Sequence, residues 1–146
     1  PGFRAWLGNN AATMLEKPDD KSRLQLGCVL GFDPPGPEHF LSAADKALTL
    51  DAKSPVRSLL LQCAAHYLGR EIKDGKPLDP VARFHLGNGA RVERLNWAGD
   101  PSAKGLKQSC GLMVNYLYDL KRLDKHRAML VQGKIAVSGD IEDLQF

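Results

Sequence analysis

The apolar residues of this chain change their period partway along, and that change limits the folds open to it. Val56, Leu59, Leu60, Cys63, Ala64, Tyr67 and Leu68 recur at i, i+3, i+4 and i+7, the spacing of one buried helix face. From Val81 the pattern switches to alternation, the period of a strand with two unlike faces. A chain holding both packs helices against strands, so the expected fold class is α+β, mostly helical. The helical stripe is also well bounded. Ser54 can cap it, Pro55 suits the first helical position, and Gly69 predicts the stop. His66 falls just off the stripe, at its boundary with solvent.

Two more helical stripes come earlier. Phe3, Trp6, Leu7, Ala11, Met14 and Leu15 form one, weakened in the middle by Gly8-Asn9-Asn10. Phe40, Leu41, Ala44, Ala47 and Leu48 form the other, after the breaker Pro34-Pro35-Gly36-Pro37. Beyond a loop holding Asp74-Gly75, residues 81–86 and 91–97 alternate on either side of Asn88-Gly89. That pair predicts a β-hairpin, because a type I′ turn needs positive φ at both central residues. The register it implies sets Arg83 opposite Arg94 and His85 opposite Val92. Ala82, Phe84, Leu86, Leu95 and Trp97 then make a core face, while Val81, Arg83, His85, Val92, Arg94 and Asn96 make a polar one. Asp100 and Pro101 open a predicted long helix with Leu106, Cys110, Met113, Val114 and Leu117 along its stripe. Gly105 and Gly111 within it suit a close approach by backbone or ligand. The rest, from Asp124, predicts a helix, a break at Gly133 and a short apolar run from Ile135 to Val137.

At 146 residues the chain suits one domain. Its 43% hydrophobic and 25% charged residues exclude a disordered or collagen-like chain. No apolar run approaches the ~18 residues of a membrane span, and no signal-peptide pattern is present. Twenty basic residues against 17 acidic leave a charge of +3, and only Lys121, Arg122, Lys125, His126 and Arg127 cluster. That cluster reads as a solvated helix face, so neither nucleic acid nor membrane is an expected partner. A small anionic ligand suits the balance. Cys28, Cys63 and Cys110 are an odd, widely spaced set, read as reduced thiols in a cytoplasmic protein. His39, His66, His85 and His126 show no zinc spacing, so no metal is expected. Dinucleotide, P-loop and hydrolase motifs are absent from the sequence. The opening Pro1-Gly2-Phe3 lacks an initiator Met and reads as the start of a piece of a longer chain.

His85 is the best candidate for chemistry, because imidazole exchanges a proton near neutral pH. Arg83 opposite Arg94 is a second clue, since like charges across a ladder are unfavourable unless an anion lies between them. Tyr116 and Tyr118 can either donate to a ligand or pack half-buried.

One block is specific. Pro80-Val81-Ala82-Arg83-Phe84-His85-Leu86-Gly87-Asn88-Gly89-Ala90, then Asn96-Trp97, then Ser102, Gly105, Ser109, Gly111-Leu112-Met113, Asn115-Tyr116 and Tyr118 resembles the malonyl-CoA decarboxylase family. Pro1-Gly2-Phe3 with Trp6-Leu7 is similar to the family's segment after its Ser-Pro-Ile-Pro-Gly-Phe motif. The resemblance implies that residues 1–146 are the C-terminal portion of the catalytic domain, without the helical N-terminal domain and the first part of the catalytic domain. It implies a GCN5-type acetyltransferase-like fold that admits the pantetheine arm of coenzyme A. It implies decarboxylation of malonyl-CoA to acetyl-CoA with no separate cofactor, coenzyme A being part of the substrate. On it, His85 and Tyr118 are catalytic, while Asn88, Arg94 and Asn96 bind substrate. The family serine and the loop for coenzyme A's pyrophosphate would precede Pro1, so this chain alone is expected to be inactive, and the whole protein a homo-oligomer. The alternatives are an acyl-CoA acyltransferase of the same fold, which would need an amine acceptor, and a non-catalytic helical interaction module.

Overall fold

The computed structural model describes residues 1–146, and they form eight helices and four short strands. α1 (Phe3–Leu15) buries the predicted stripe and stays helical through Gly8-Asn9-Asn10, where the Asn10 side chain donates to the Trp6 carbonyl at 2.8 Å. α2 (Asp20–Leu30) has no counterpart among the expected elements. It buries only Leu26 and Gly27, too few apolar positions to make a stripe. Its ends are nonetheless marked, by an Asp19 cap on the Ser22 amide and by Gly31 at φ 81°. α3 (Pro37–Ala44) buries Phe40 and Ala44 as expected.

α4 (Pro55–Arg70) is the centre of the molecule. Ser54 caps it and Pro55 opens it, and it ends one residue past the expected Gly69. Val56, Leu59, Leu60, Cys63, Ala64, Ala65, Tyr67 and Leu68 are all buried. α1, α2 and α3 pack around it. Each large apolar side chain fully buried this way contributes about 1.5–3 kcal/mol.

A two-residue hairpin does occur, but at Asp74-Gly75. β1 (Ile72–Lys73) and β2 (Lys76–Pro77) pair antiparallel, with Asp74 at φ 55° and Gly75 at φ 75°, which is the I′ requirement. The hairpin expected at Asn88-Gly89 is absent. Residues 80–87 are instead a helix, α5 (Pro80–Gly87), opened by Asp79, whose carboxylate accepts from the Val81 and Ala82 amides. Asn88 sits at φ −93° and only Gly89 is positive, at 91°. The alternation misled because a two-turn helix with Ala82 and Leu86 inward also looks alternate over so short a run. Phe84, assigned to the core face, is 65% exposed, and Val92, assigned to the polar face, is fully buried.

β3 (Arg91–Asn96) pairs antiparallel with β4 (Met113–Leu117), setting Val92 against Tyr116, Arg94 against Asn115 and Leu95 against Val114, with an irregularity between Val92 and Arg94. The register of Arg83 against Arg94 is therefore overturned. So is the long helix after Asp100. α6 (Ala103–Ser109) is short and capped by Ser102, and it ends where Cys110 and Gly111 both take positive φ, 54° and 77°. Two consecutive left-handed residues turn the chain out of a helix. On its other side β3 exchanges hydrogen bonds with the 136–138 stretch, from Val92 N to Ala136 O at 3.0 Å and from Ser138 N to Val92 O at 2.9 Å. α7 (Leu123–Val131) and the Gly133 break follow expectation. α8 (Gly139–Leu144), capped by Ser138 and packed on α4 and β3, was not expected. The class is α+β and mostly helical, as the two periods required. No helix is long and apolar enough to cross a membrane.

Candidate active site

A cavity of about 270 Å³ lies between α4, α5 and the β3–β4 ribbon. Phe3, Leu68, Val81, Leu95, Leu112 and Val114 make its wall mostly apolar. Tyr67, Asp79, His85 and Tyr116 are among its polar side chains, with Asp100, Gln108 and Ser109 contributed from around α6. An apolar pocket with a few convergent polar groups is the ordinary form of a small-molecule site.

His85 stands in the last turn of α5. Its Nδ1 shares a 2.6 Å hydrogen bond with Tyr118 Oη. The imidazole stacks on the Tyr116 ring, with centroids 4.5 Å apart and planes 22° apart. Phe84 and Tyr118 meet it edge-on. With Nδ1 engaged, Nε2 is the nitrogen left for a reacting group.

The helix that carries His85 is tied at both ends. At its start Asp79 is 3% exposed and accepts from Tyr67 Oη at 3.0 Å as well as from the two amides. At its end buried His126 donates from Nδ1 to the Gly89 carbonyl at 2.9 Å, and Arg127 donates to the Asn88 carbonyl at 3.3 Å. Gly89 is required there. A Cβ on it would come within 3.0 Å of Leu123 backbone, and its φ is left-handed besides.

Burial governs the other titratable groups. It pushes the Tyr116 phenol well above its usual range, and that of Tyr67 likewise, with the Asp79 charge adding to both. Tyr116 Oη is buried without any hydrogen-bond partner. Burial pushes the Cys110 thiol up to about 11 and holds Cys63 protonated as well. No group of three or more His, Cys, Asp or Glu side chains converges as a metal site.

Of the expected site residues, the structure brings His85 and Tyr118 together. Asn88 follows α5, its amide donating to the Phe84 carbonyl at 2.9 Å. Arg94 and Asn96 stand on the ribbon face that alternates with Leu95, Val114 and Tyr116, away from His85. Arg94 is exposed, and Asn96 donates to Asn115 Oδ1 at 2.9 Å. Arg83 donates to the carbonyls of Pro77 and Leu78. The two guanidinium groups are thus not cross-strand partners. Asp79, Tyr67 and His126 were missed. Asp79-Pro80 is a helix-start signal in plain view, whereas His126 lay hidden in a basic run whose other members, Arg122 and Arg127, pair locally with Asp119 and Asp124.

The family profile described as Malonyl-CoA decarboxylase C-terminal domain matches residues 1–145. The mitochondrial malonyl-CoA decarboxylase of Mus musculus is 45% identical over 137 residues, 83% of this chain and 26% of that protein. That of Anser anser anser is 50% identical over 66 residues, 45% of this chain and 13% of its own. The crystal structure of malonyl-CoA decarboxylase from Cupriavidus metallidurans superposes with a TM-score of 0.85 at 42% identity, covering 99% of this chain and 36% of that one. The enzyme from Agrobacterium vitis gives 0.71 at 39% identity, covering 100% and 34%. The chain therefore spans about a third or less of the length of each of these relatives. With the profile matched along nearly its whole length, the chain belongs to the malonyl-CoA decarboxylase family.

Proposed function

We infer that this chain supplies the histidine-bearing wall of an active site that decarboxylates malonyl-CoA. The observation that carries the reading is the His85–Tyr118 pair at 2.6 Å, at the edge of a mostly apolar cavity, in a chain of this family. In the reaction the bond from the α-carbon to the carboxylate breaks and carbon dioxide leaves. The electron pair stays as an enolate spread onto the thioester oxygen. The α-carbon then takes up one proton, and acetyl-CoA results. The thioester is its own electron sink, so the reading needs no further cofactor.

Donors aimed at the enolate oxygen lower such a barrier most. His85 Nε2 is placed to give the proton or to hold a serine hydroxyl that the resemblance sets upstream of Pro1. Tyr118 fixes which nitrogen does so. The apolar wall excludes water that would otherwise solvate the departing carboxylate. On this reading the β3–β4 ribbon is one end of an acetyltransferase-like sheet, and the complete protein is a homo-oligomer. The three free cysteines support a reducing compartment, which we take to be the cytoplasm.

The test is acetyl-CoA formation by the complete enzyme carrying His85→Asn. Loss of proton delivery should lower kcat by about 10²–10⁴-fold. An unchanged rate would remove His85 from the mechanism.

A further inference from the structure

We propose that Tyr116 is a positioning residue for His85, acting through the face of its ring and not through its hydroxyl. This rests on the decarboxylase reading of His85 and adds to it a role for Tyr116 that the reading itself does not assign. The physical need comes from the imidazole itself. Rotation about the last side-chain torsion of a histidine is soft, with broad wells, so packing must set the ring plane. Tyr118 holds one atom, Nδ1, at 2.6 Å. One hydrogen bond fixes a point and leaves the ring free to tilt about it, which would swing Nε2 across the cavity.

The Tyr116 stack removes that freedom. Its ring lies 4.5 Å from the imidazole centroid and within 22° of parallel. Phe84 cannot do the same, for it meets His85 edge-on at 77° from a 65% exposed position. Tyr116 is itself rigidly held. It sits in β4 opposite Val92, a fully buried residue whose N–H and C=O both bond the 136–138 backbone on the other side of β3. Its hydroxyl makes no hydrogen bond to any neighbour, so the ring is the part of the side chain in use. A ring displaced by an ångström can lose about 10²-fold in rate, which sets the scale of the effect.

The experiment compares kcat and KM for malonyl-CoA in the complete enzyme bearing Tyr116→Phe, Tyr116→Leu or Tyr116→Met, beside His85→Asn. Phe keeps the stack and should hold kcat within about twofold. Leu and Met fill space without an aromatic face. They should lower kcat by about 10–100-fold with KM nearly unchanged and thermal melting close to the parent. Met serves where Leu fails to fold. A Phe variant as slow as Leu would overturn the proposal in favour of the hydroxyl. Leu and Met variants as fast as the parent would overturn it outright, provided His85→Asn is slow. A fast His85→Asn would instead sink the decarboxylase reading beneath it.

Discussion

α4 and α5 begin alike and are held in opposite ways. Ser54-Pro55 opens one and Asp79-Pro80 the other, each with a side chain capping two amides. α4 then runs 16 residues and buries eight of them. α5 runs eight and buries two, Ala82 and Leu86. The long helix is gripped along its sides by apolar packing. The short one is gripped at its tips, by Asp79 and Tyr67 in front and by His126 and Arg127 behind. The difference serves the site. A helix gripped along its length gives the cavity fixed wall, here Tyr67 and Leu68, whereas one pinned at its ends can turn His85 and Val81 toward it.

If side packing is what holds α4, thinning it should show as stability. Leu60 is fully buried at the middle of that helix. Leu60→Ala should destabilise the fold by about 2–5 kcal/mol, through lost transfer energy and the cavity left behind. Urea unfolding measures it. A loss below about 1 kcal/mol would mean the surroundings collapse onto the gap and α4 is not the centre described here.

Alkaline pH probes the same core from another side. Cys110 at the end of α6 has its thiol pushed by burial from 9.0 up to about 11. The folded chain thus keeps a proton that the unfolded chain releases above about 9. Stability is intact below pH 9 and falls as pH rises toward 11, by about 3 kcal/mol in full. Buried Cys63, Tyr67 and Tyr116, shifted in the same direction, steepen the decline. Melting curves from pH 8 to 11 check the slope, and Cys110→Ala should flatten part of it. A flat profile would contradict the buried thiol.

The same contrast explains what was legible. α1, α3 and α4 declare themselves because each is long enough, or apolar enough, for burial to print a helical period on the sequence. α5 did not. Over eight residues with Ala82 and Leu86 inward, helix and strand patterns coincide, and the Asn88-Gly89 pair tipped the reading to a hairpin. The I′ turn fell at Asp74-Gly75, where the flanking strands are too short to alternate. α2 escaped notice because it buries almost nothing, and β4 because Met113 to Leu117 continues the apolar spacing of a helix that Cys110 and Gly111 have already ended. His85 stands out by its imidazole before any resemblance is drawn, and Tyr118 becomes a candidate catalytic residue through the resemblance. His126 lies outside both routes, since it anchors α5 through a backbone carbonyl that no side-chain pattern records, whereas Asp79 is legible in Asp79-Pro80 as a helix start.

The end-anchoring of α5 yields the smallest and most specific effect. Asp79→Ala deletes the acceptor for two helix amides and for Tyr67 Oη at once. Loss of an N-cap costs about 0.5–2 kcal/mol, so the fold as a whole should survive. The start of α5 would then be free to fray, and His85 rides one and a half turns further along the same eight-residue helix. In the complete enzyme kcat should therefore fall by more than the stability change alone accounts for at a temperature where the variant is fully folded. Asp79→Asn should behave differently. Asparagine is as good a cap as aspartate, and its side-chain oxygen can still accept from the helix amides. Its rate should stay close to the parent's. Should Asp79→Ala lose stability while its rate holds, α5 is positioned by its sides like α4, and the distinction between the two helices fails.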